Sequence, residues 1–450
     1  MISDPIAAIA TPPGTGAVCV LRVSGEGSLA VVESRWRGKR KLSDVPARAL
    51  ARGTITDASG EPIDDVLAVR FAAPASFTGE ETVEIHGHGG ILVARMLLDS
   101  LLEAGARPAG PGEFTQRAFL NGKLDLAQAE AVMDVISAQT GLALRAAQGQ
   151  LAGGISEATR ALRENLIGLL AHVEAYIDFP DEDIDPDTGA AMLARIDSTL
   201  ADCSRLLDTA ERGRILRQGL RLVIAGEPNA GKSSLLNRLL GFDRAIVSPE
   251  AGTTRDTVEE TLDLGGVPVR LIDTAGLRDA GNGIEELGIE RTRAALREAD
   301  FLLEVIDATR PPEATRRVDV PASLAHHRVV LNKADQPPHP GWRDHPGAIP
   351  VSCATGEGID ALVTALKDEV HLGAGETGAA LVAINARHQH CLRLAAAALA
   401  DARTRLAESA PPEITAEELR AALHAIGDIT GRADAEEILG AIFGRFCIGK

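Results

Sequence analysis

Aromatic side chains are scarce: nine Phe, two Trp and one Tyr make up 3% of 450 residues. The cores must therefore be built from Ala, Leu, Val and Ile, and the many Ala and Leu favour helices over sandwiches. Cysteines are few, odd in number and far apart (Cys19, Cys203, Cys353, Cys391, Cys447), with no CxxC or Cys/His spacing. That excludes a disulfide framework and a zinc finger, and it reads as reduced thiols in the cytosol. No run of about 18 apolar residues occurs, and the opening MISDPIAAIATPP carries an acid where a secretory leader needs positive charge, so neither a helical span nor export is expected. Basic excess is lacking too. A net charge of −18 is the wrong sign for a surface that grips nucleic acid all over.

What is present divides by region. Residues 1–120 hold 12 Lys/Arg against 14 Asp/Glu, so −16 of the charge falls on the rest of the chain. Within that near-neutral stretch lies a basic cluster, Arg35, Arg37, Lys39, Arg40 and Lys41, which reads as a solvated loop or as a phosphate-contacting patch. AVCVLRVSG, VLAVRF and ETVEIHGHGG alternate like strands, giving an α+β domain over 1–120. Long Ala/Leu stretches at helical spacing follow over 121–217, interrupted by the acidic, Pro-bearing FPDEDIDPDTG. From 218 to 375 strands and helices alternate, the pattern of a doubly wound α/β domain, and helices resume over 376–450. There Thr415 and Glu418 form a capping box expected to start the helix EELRAALHAIG. Helical segments on both sides of a self-contained α/β unit suggest an inserted domain within a discontinuous α-helical one.

The α/β region carries the chemistry. The apolar strand RLVIAG runs into GEPNAGKSSLLN, which matches GxxxxGK[ST] through Gly226, Gly231, Lys232 and Ser233. Main-chain amides of such a loop, with the helix N-terminus behind it, wrap phosphates; Asn229, Ala230, Gly231, Lys232, Ser233 and Ser234 form the phosphate-facing run. Lys232 is placed to bridge β- and γ-phosphate oxygens and the Ser233 hydroxyl to ligate Mg²⁺. VRLIDTAG delivers Asp273, Thr274, Ala275 and Gly276, the carboxylate toward a magnesium-bound water and the Gly276 N–H toward the γ-phosphate. RVVLNKAD delivers Asn332, Lys333 and Asp335. An ionised Asp335 only accepts hydrogen bonds, and guanine offers two donors where adenine offers none, so the nucleotide is GTP. VSCATGEG adds Ser352, Cys353 and Ala354 beside the base. In SPEAGTTRD, Thr253 and Thr254 sit where a mobile loop closes over the γ-phosphate, with Thr254 the second hydroxyl on Mg²⁺. After DTAG comes Leu277, which cannot orient water. Glu285, with Glu286 beside it, is the candidate for that task, and an arginine finger such as Arg278 is the competing account.

These motifs and the blocks around them resemble one family over residues 1–450. ATPPGTGAVCVLRVSG, SFTGEETVEIHGHGG, RPAGPGEFTQRAFLNGKLDLAQAEAV, IDFPDEDID and the terminal GRADAEEILGAIFGRFCIGK, in that order, are similar to the MnmE (TrmE) tRNA modification GTPases. The resemblance implies an N-terminal tetrahydrofolate-binding and dimerising domain, a discontinuous helical domain and an inserted GTPase domain. It implies a cytoplasmic homodimer that works with the flavoprotein MnmG, which holds FAD and uses NADH. Together they install a (carboxymethyl)aminomethyl-type group at carbon 5 of the wobble uridine of tRNA, a 5-formyl- or 5,10-methylene-tetrahydrofolate supplying the one-carbon unit. Arg22, Glu84, Lys123 and Lys450 match the folate contacts, and Glu285 matches the catalytic acid. Asn229, Ser248, Glu250 and Thr253 match a K⁺ cage that replaces an arginine finger, although SPEAGTT stands where the family has TDIAGTT. Two other readings use the same motifs, a ribosome-assembly GTPase and a folate enzyme regulated by GTP. The −16 balance argues against the first. His86 and His88 form an HxH pair without a third ligand, and Cys447 in CIGK reads as a packing or positioning residue.

Overall fold

The computed structural model describes residues 4–178, 190–242, 260–272, 293–322, 324, 326–343, 345–372, 384–431, 442–444 and 446–449. They fall into two compact units, Met1–Met133 with Gly427–Lys450, and Asp134–Ile426.

In the first unit, strands β1 (Ile6–Ile9), β2 (Val18–Ser24), β3 (Trp36–Gly38), β4 (Leu50–Thr56), β5 (Pro62–Phe71), β6 (Thr82–His88) and β7 (Arg107–Pro108) form one sheet in the order β3-β4-β5-β6-β2-β1-β7. Neighbours are antiparallel except for β1 and β7. Side chains alternate between faces, so Cys19, Leu21 and Val23 of β2 join Val83 and Ile85 of β6 on the buried side. Helices α1 (Ser28–Arg35) and α2 (Ile91–Glu103) cover that side with Val31, Val32, Leu97 and Leu101. Arg22, Glu84 and His86 therefore share the opposite face. Helix α3 (Glu113–Leu120) and the start of α4 (Leu126–Ser137) close a smaller core in which Phe119 and Leu126 meet Phe443 and Phe446 of the C-terminal segment.

The second unit combines helices with a six-stranded sheet. Its helices α5 (Gly141–Leu151), α6 (Gly154–Asp178), α7 (Ala190–Leu207) and α8 (Ala210–Gln218) bury one stripe each, as α6 does with Leu162, Leu166, Leu169 and Val173. The sheet holds β8 (Leu220–Ala225), β9 (Thr261–Leu264), β10 (Val267–Leu271), β11 (Phe301–Asp307), β12 (His326–Asn332) and β13 (Ile349–Pro350) in the order β13-β12-β11-β8-β10-β9. All pairs are parallel but β9 with β10. Such a sheet needs cover on both faces. Helices α9 (Lys232–Phe242) and α10 (Ile359–Leu372) supply Leu235, Leu239, Leu362 and Leu366 on one, and Ala295 and Leu296 cover Val223 and Leu302 on the other. From β8 the chain reaches β10 on one side and β11 on the other. The carboxyl end of β8 is thus the switch point at which α/β sheets bind ligands.

Helices α11 (Ala386–Ala407) and α12 (Pro412–Thr430) complete the unit, and their starts correct one expectation. Thr415 does not cap α12. Pro412 begins the helix three residues earlier, its fixed φ and missing N–H being harmless in a first turn, and Thr415 is buried inside with no partner for its hydroxyl among the described residues. A reciprocal cap stands instead on α11, where Asn385 Oδ1 accepts from His388 N at 2.8 Å and His388 Nδ1 accepts from Asn385 N at 3.3 Å.

Candidate nucleotide site

The loop after β8 is held open by backbone conformations that few side chains tolerate. Gly226 (φ 152°), Asn229 (φ 62°) and Gly231 (φ 98°) turn the chain before Lys232 opens α9. A Cβ on Gly226 would lie 2.1 Å from Val305 O, and one on Gly231 would lie 2.0 Å from Asn332 Nδ2, so both positions require glycine for space as well as for φ. Lys232 Nζ donates to Glu227 O at 2.8 Å, folding the ammonium back over the loop. Burial pushes its pKa below the usual lysine value, with the Glu227 charge opposing. Ser233 and Ser234 follow on the first turn of α9, the former half-buried and the latter exposed.

The base-side residues are tied to this loop by side chains. Asn332 is only 3% exposed; its Nδ2 donates to Ala230 O at 2.8 Å and its Oδ1 accepts from Cys353 N at 3.1 Å. Its amide is thus a strut joining the phosphate loop, β12 and the 351–358 loop. Asp335 is exposed, and its Oδ1 accepts from the buried Ser352 hydroxyl at 2.6 Å, which fixes how the carboxylate faces outward. Ser352 Oγ in turn accepts from Thr355 N at 3.1 Å. Lys333, at φ 68°, places its ammonium 2.6 Å from Asp307 Oδ2. Burial works against the Asp307 charge, but Lys333 and Thr309 outweigh it and hold the carboxyl below its ordinary value. Arg238 of α9 donates to Cys353 O at 2.9 Å and Ala354 O at 2.7 Å, and burial pushes the Cys353 thiol up.

Asp307 and Arg238 are the additions that sequence reasoning missed. Asp307 had a signal, an acid ending the apolar strand FLLEVID; Arg238 had none. Ser248, Glu250, Thr253, Thr254, Asp273, Thr274, Ala275, Gly276, Glu285 and Lys450 lie outside the described residues.

A second cluster sits in the first unit. Arg22 and Glu84 are opposite one another in β2 and β6, and the guanidinium sends Nε and Nη2 to one oxygen, Oε1, at 2.9 and 2.8 Å. Its Cζ lies 5.6 Å from the Phe77 ring centroid and 5.7 Å from that of Phe114. The C-terminal segment reaches the same corner. Gly112 N donates to Cys447 O at 3.4 Å, Pro111 bridges to Ile448, and a Cβ on Gly449 would meet Ile9 O at 2.5 Å. Lys123 is exposed and donates to Pro74 O at 3.2 Å. His88 is hydrogen-bonded to Asp64, which raises its pKa.

Comparison with known proteins adds the family. A model of the MnmE helical domain matches residues 126–447, and one of the GTP-binding protein TrmE N-terminus matches residues 5–123. The tRNA modification GTPase MnmE of Akkermansia muciniphila is 52% identical over 458 residues and covers 100% of both chains. Its counterparts in Chloroflexus aurantiacus and Thermus thermophilus are 44% and 42% identical, again over 100% of both. Among solved structures, the G domain of the T. maritima FeoB iron transporter is similar over 34% of this chain and 98% of that one, at 22% identity and a TM-score of 0.23. With one family model over most of its length and relatives matching it end to end, the chain belongs to the MnmE (TrmE) family.

Proposed function

We propose that this chain is a GTP-hydrolysing tRNA modification enzyme. With a flavoprotein of the MnmG type, it installs a (carboxymethyl)aminomethyl group at carbon 5 of the wobble uridine, using a folate one-carbon unit. The observation that carries the reading is the Ser352-oriented Asp335 carboxylate on a loop that Asn332 ties to a glycine-turned phosphate loop, in a chain matching MnmE relatives end to end. Main-chain amides of 226–233 and Lys232 bind the triphosphate, and Asp335 accepts from guanine's ring N–H and amino group. Ser233 and Thr254 offer hydroxyls, the donors that Mg²⁺ prefers. Asn229, exposed in the loop, with Ser248, Glu250 and Thr253, offers the oxygen set of a K⁺ site, which would neutralise charge developing on the phosphates. Glu285 orients the attacking water, the task Leu277 cannot perform.

Arg22 and Glu84 suit a folate. The carboxylate accepts from a pterin's amino and ring N–H groups, while the guanidinium, and Lys123 and Lys450 beyond it, suit the folate's carboxylates. We read the chain as a cytoplasmic homodimer. Its own share of tRNA binding falls to Arg37, Lys39, Arg40 and Lys41, all exposed on the sheet's edge and without a carboxylate partner among the described residues. The buried Trp36 fixes their turn by donating Nε1 to Arg40 O at 3.0 Å.

The test is nucleoside analysis of tRNA from cells lacking the chain. The wobble-uridine modification should vanish and return with the wild-type chain; intact modification in the deletion strain contradicts the reading.

A further inference from the structure

The phosphate loop contains an acid. Glu227 follows Gly226 directly, so a carboxylate occupies a loop whose amides and lysine exist to attract anions. Left free, it would repel the triphosphate and compete for the Lys232 ammonium, which already rests on the Glu227 carbonyl at 2.8 Å. The structure turns it outward. Glu227 Oε2 accepts from Arg310 Nη1 at 2.7 Å, and Oε1 accepts from Arg316 N at 2.8 Å. Arg310 is itself anchored, its carbonyl accepting from the buried Trp342 Nε1 at 2.7 Å and its Nη2 donating to Ala314 O at 3.3 Å. The ion pair is partly exposed, which limits its worth to stability and leaves its electrostatic role toward the nucleotide.

We infer that Arg310 is a positioning residue for GTP binding, holding the Glu227 carboxylate away from the phosphates so that Lys232 stays available to them. This rests on the reading of residues 226–233 as the triphosphate loop. Removing the guanidinium frees the acid to pair with Lys232; removing the acid as well takes the competitor away. Glutamine at 227 keeps an acceptor for the Arg316 N–H, so the double variant isolates the charge.

The full chain is titrated with a fluorescent GTP analogue in Mg²⁺ as wild type, R310Q, E227Q and E227Q/R310Q, with thermal melts alongside. R310Q should bind roughly tenfold more weakly, the scale of one charge acting across a few ångströms in a partly solvated site. KM for GTP should rise with kcat little changed, and E227Q/R310Q should recover most of the loss. R310Q binding within twofold of wild type overturns the inference. So does a loss that E227Q fails to restore, since Arg310 would then act otherwise than through Glu227. A wild-type chain that binds no GTP overturns the loop assignment itself, which separates the two failures.

Discussion

Asp335 holds one oxygen on Ser352 and presents the rest of its carboxylate to solvent, where an ionised carboxylate can accept hydrogen bonds but not donate them. Asp335→Asn should lower GTP affinity by about 100-fold or more, because one of guanine's donors then faces an amide N–H₂. The same variant should gain xanthosine triphosphate, whose base carries a carbonyl where guanine has an amino group; competition binding with the two nucleotides checks both. Asn332 also holds the site together from within. Its two hydrogen bonds tie the end of β12 to the phosphate loop and to the 351–358 loop, so Asn332→Ala should cost about 1–3 kcal/mol for the groups left unpaired and show in urea unfolding as well as in binding. The sequence made Lys232 and Asp335 legible because their spacing within a strand, loop and helix is local. Asp307 and Arg310 were not legible as partners. Parallel pairing sets Asp307 beside Asn332 and so within reach of Lys333, and Arg310 meets Glu227 across 83 positions of chain.

Strand β11 carries a buried acid in the middle of an apolar element. Glu304 is 1% exposed and is bonded to Arg317 Nε and Nη2 at 2.8 Å each, to Val318 N at 2.8 Å and to His327 Nε2 at 3.0 Å. Burial raises its pKa, yet these partners outweigh burial and hold the carboxyl below the ordinary glutamate value. A depressed folded pKa means stability that is present above the unfolded glutamate pKa and lost as pH falls through the folded one. Urea unfolding at pH 7 and at successively lower pH should show this loss in wild type and a flatter profile in Glu304→Gln. At pH 7 that variant should be weaker by about 1–3 kcal/mol, less than a sealed pair would lose because Arg317 is partly exposed. Strands and helices were largely readable from their periods, but their ends were not. β8 ends at Ala225 and β12 at Asn332, each directly before a residue, Gly226 or Lys333, that takes positive φ. The start of α12 was misread because a plausible Thr/Glu cap lay inside a helix that Pro412 had already begun.

Across the whole molecule, charge is the quantity that sorts partners. A chain of net −18 disfavours a polyanion over most of its surface, so the proposed contact with tRNA must concentrate where the sign reverses. Lys39→Glu with Lys41→Glu should weaken tRNA binding and reduce the slope of log K against log salt by roughly two, while GTP turnover without tRNA holds; an unchanged slope assigns the tRNA surface elsewhere. No described helix is long and apolar enough to cross a membrane. The five sequence blocks made the family legible from end to end, and the match of Lys450 to the folate contacts already pointed CIGK at the N-terminal domain; the particular contacts of Cys447 and Ile448 with Gly112 and Pro111, hundreds of residues apart, came from the fold. Everything proposed for this molecule depends on its reading guanine beside a captured triphosphate. Isothermal calorimetry of the full chain in Mg²⁺ should show GTP binding with ATP at least about 10⁴-fold weaker. ATP binding as tightly as GTP, or neither nucleotide binding, contradicts the account.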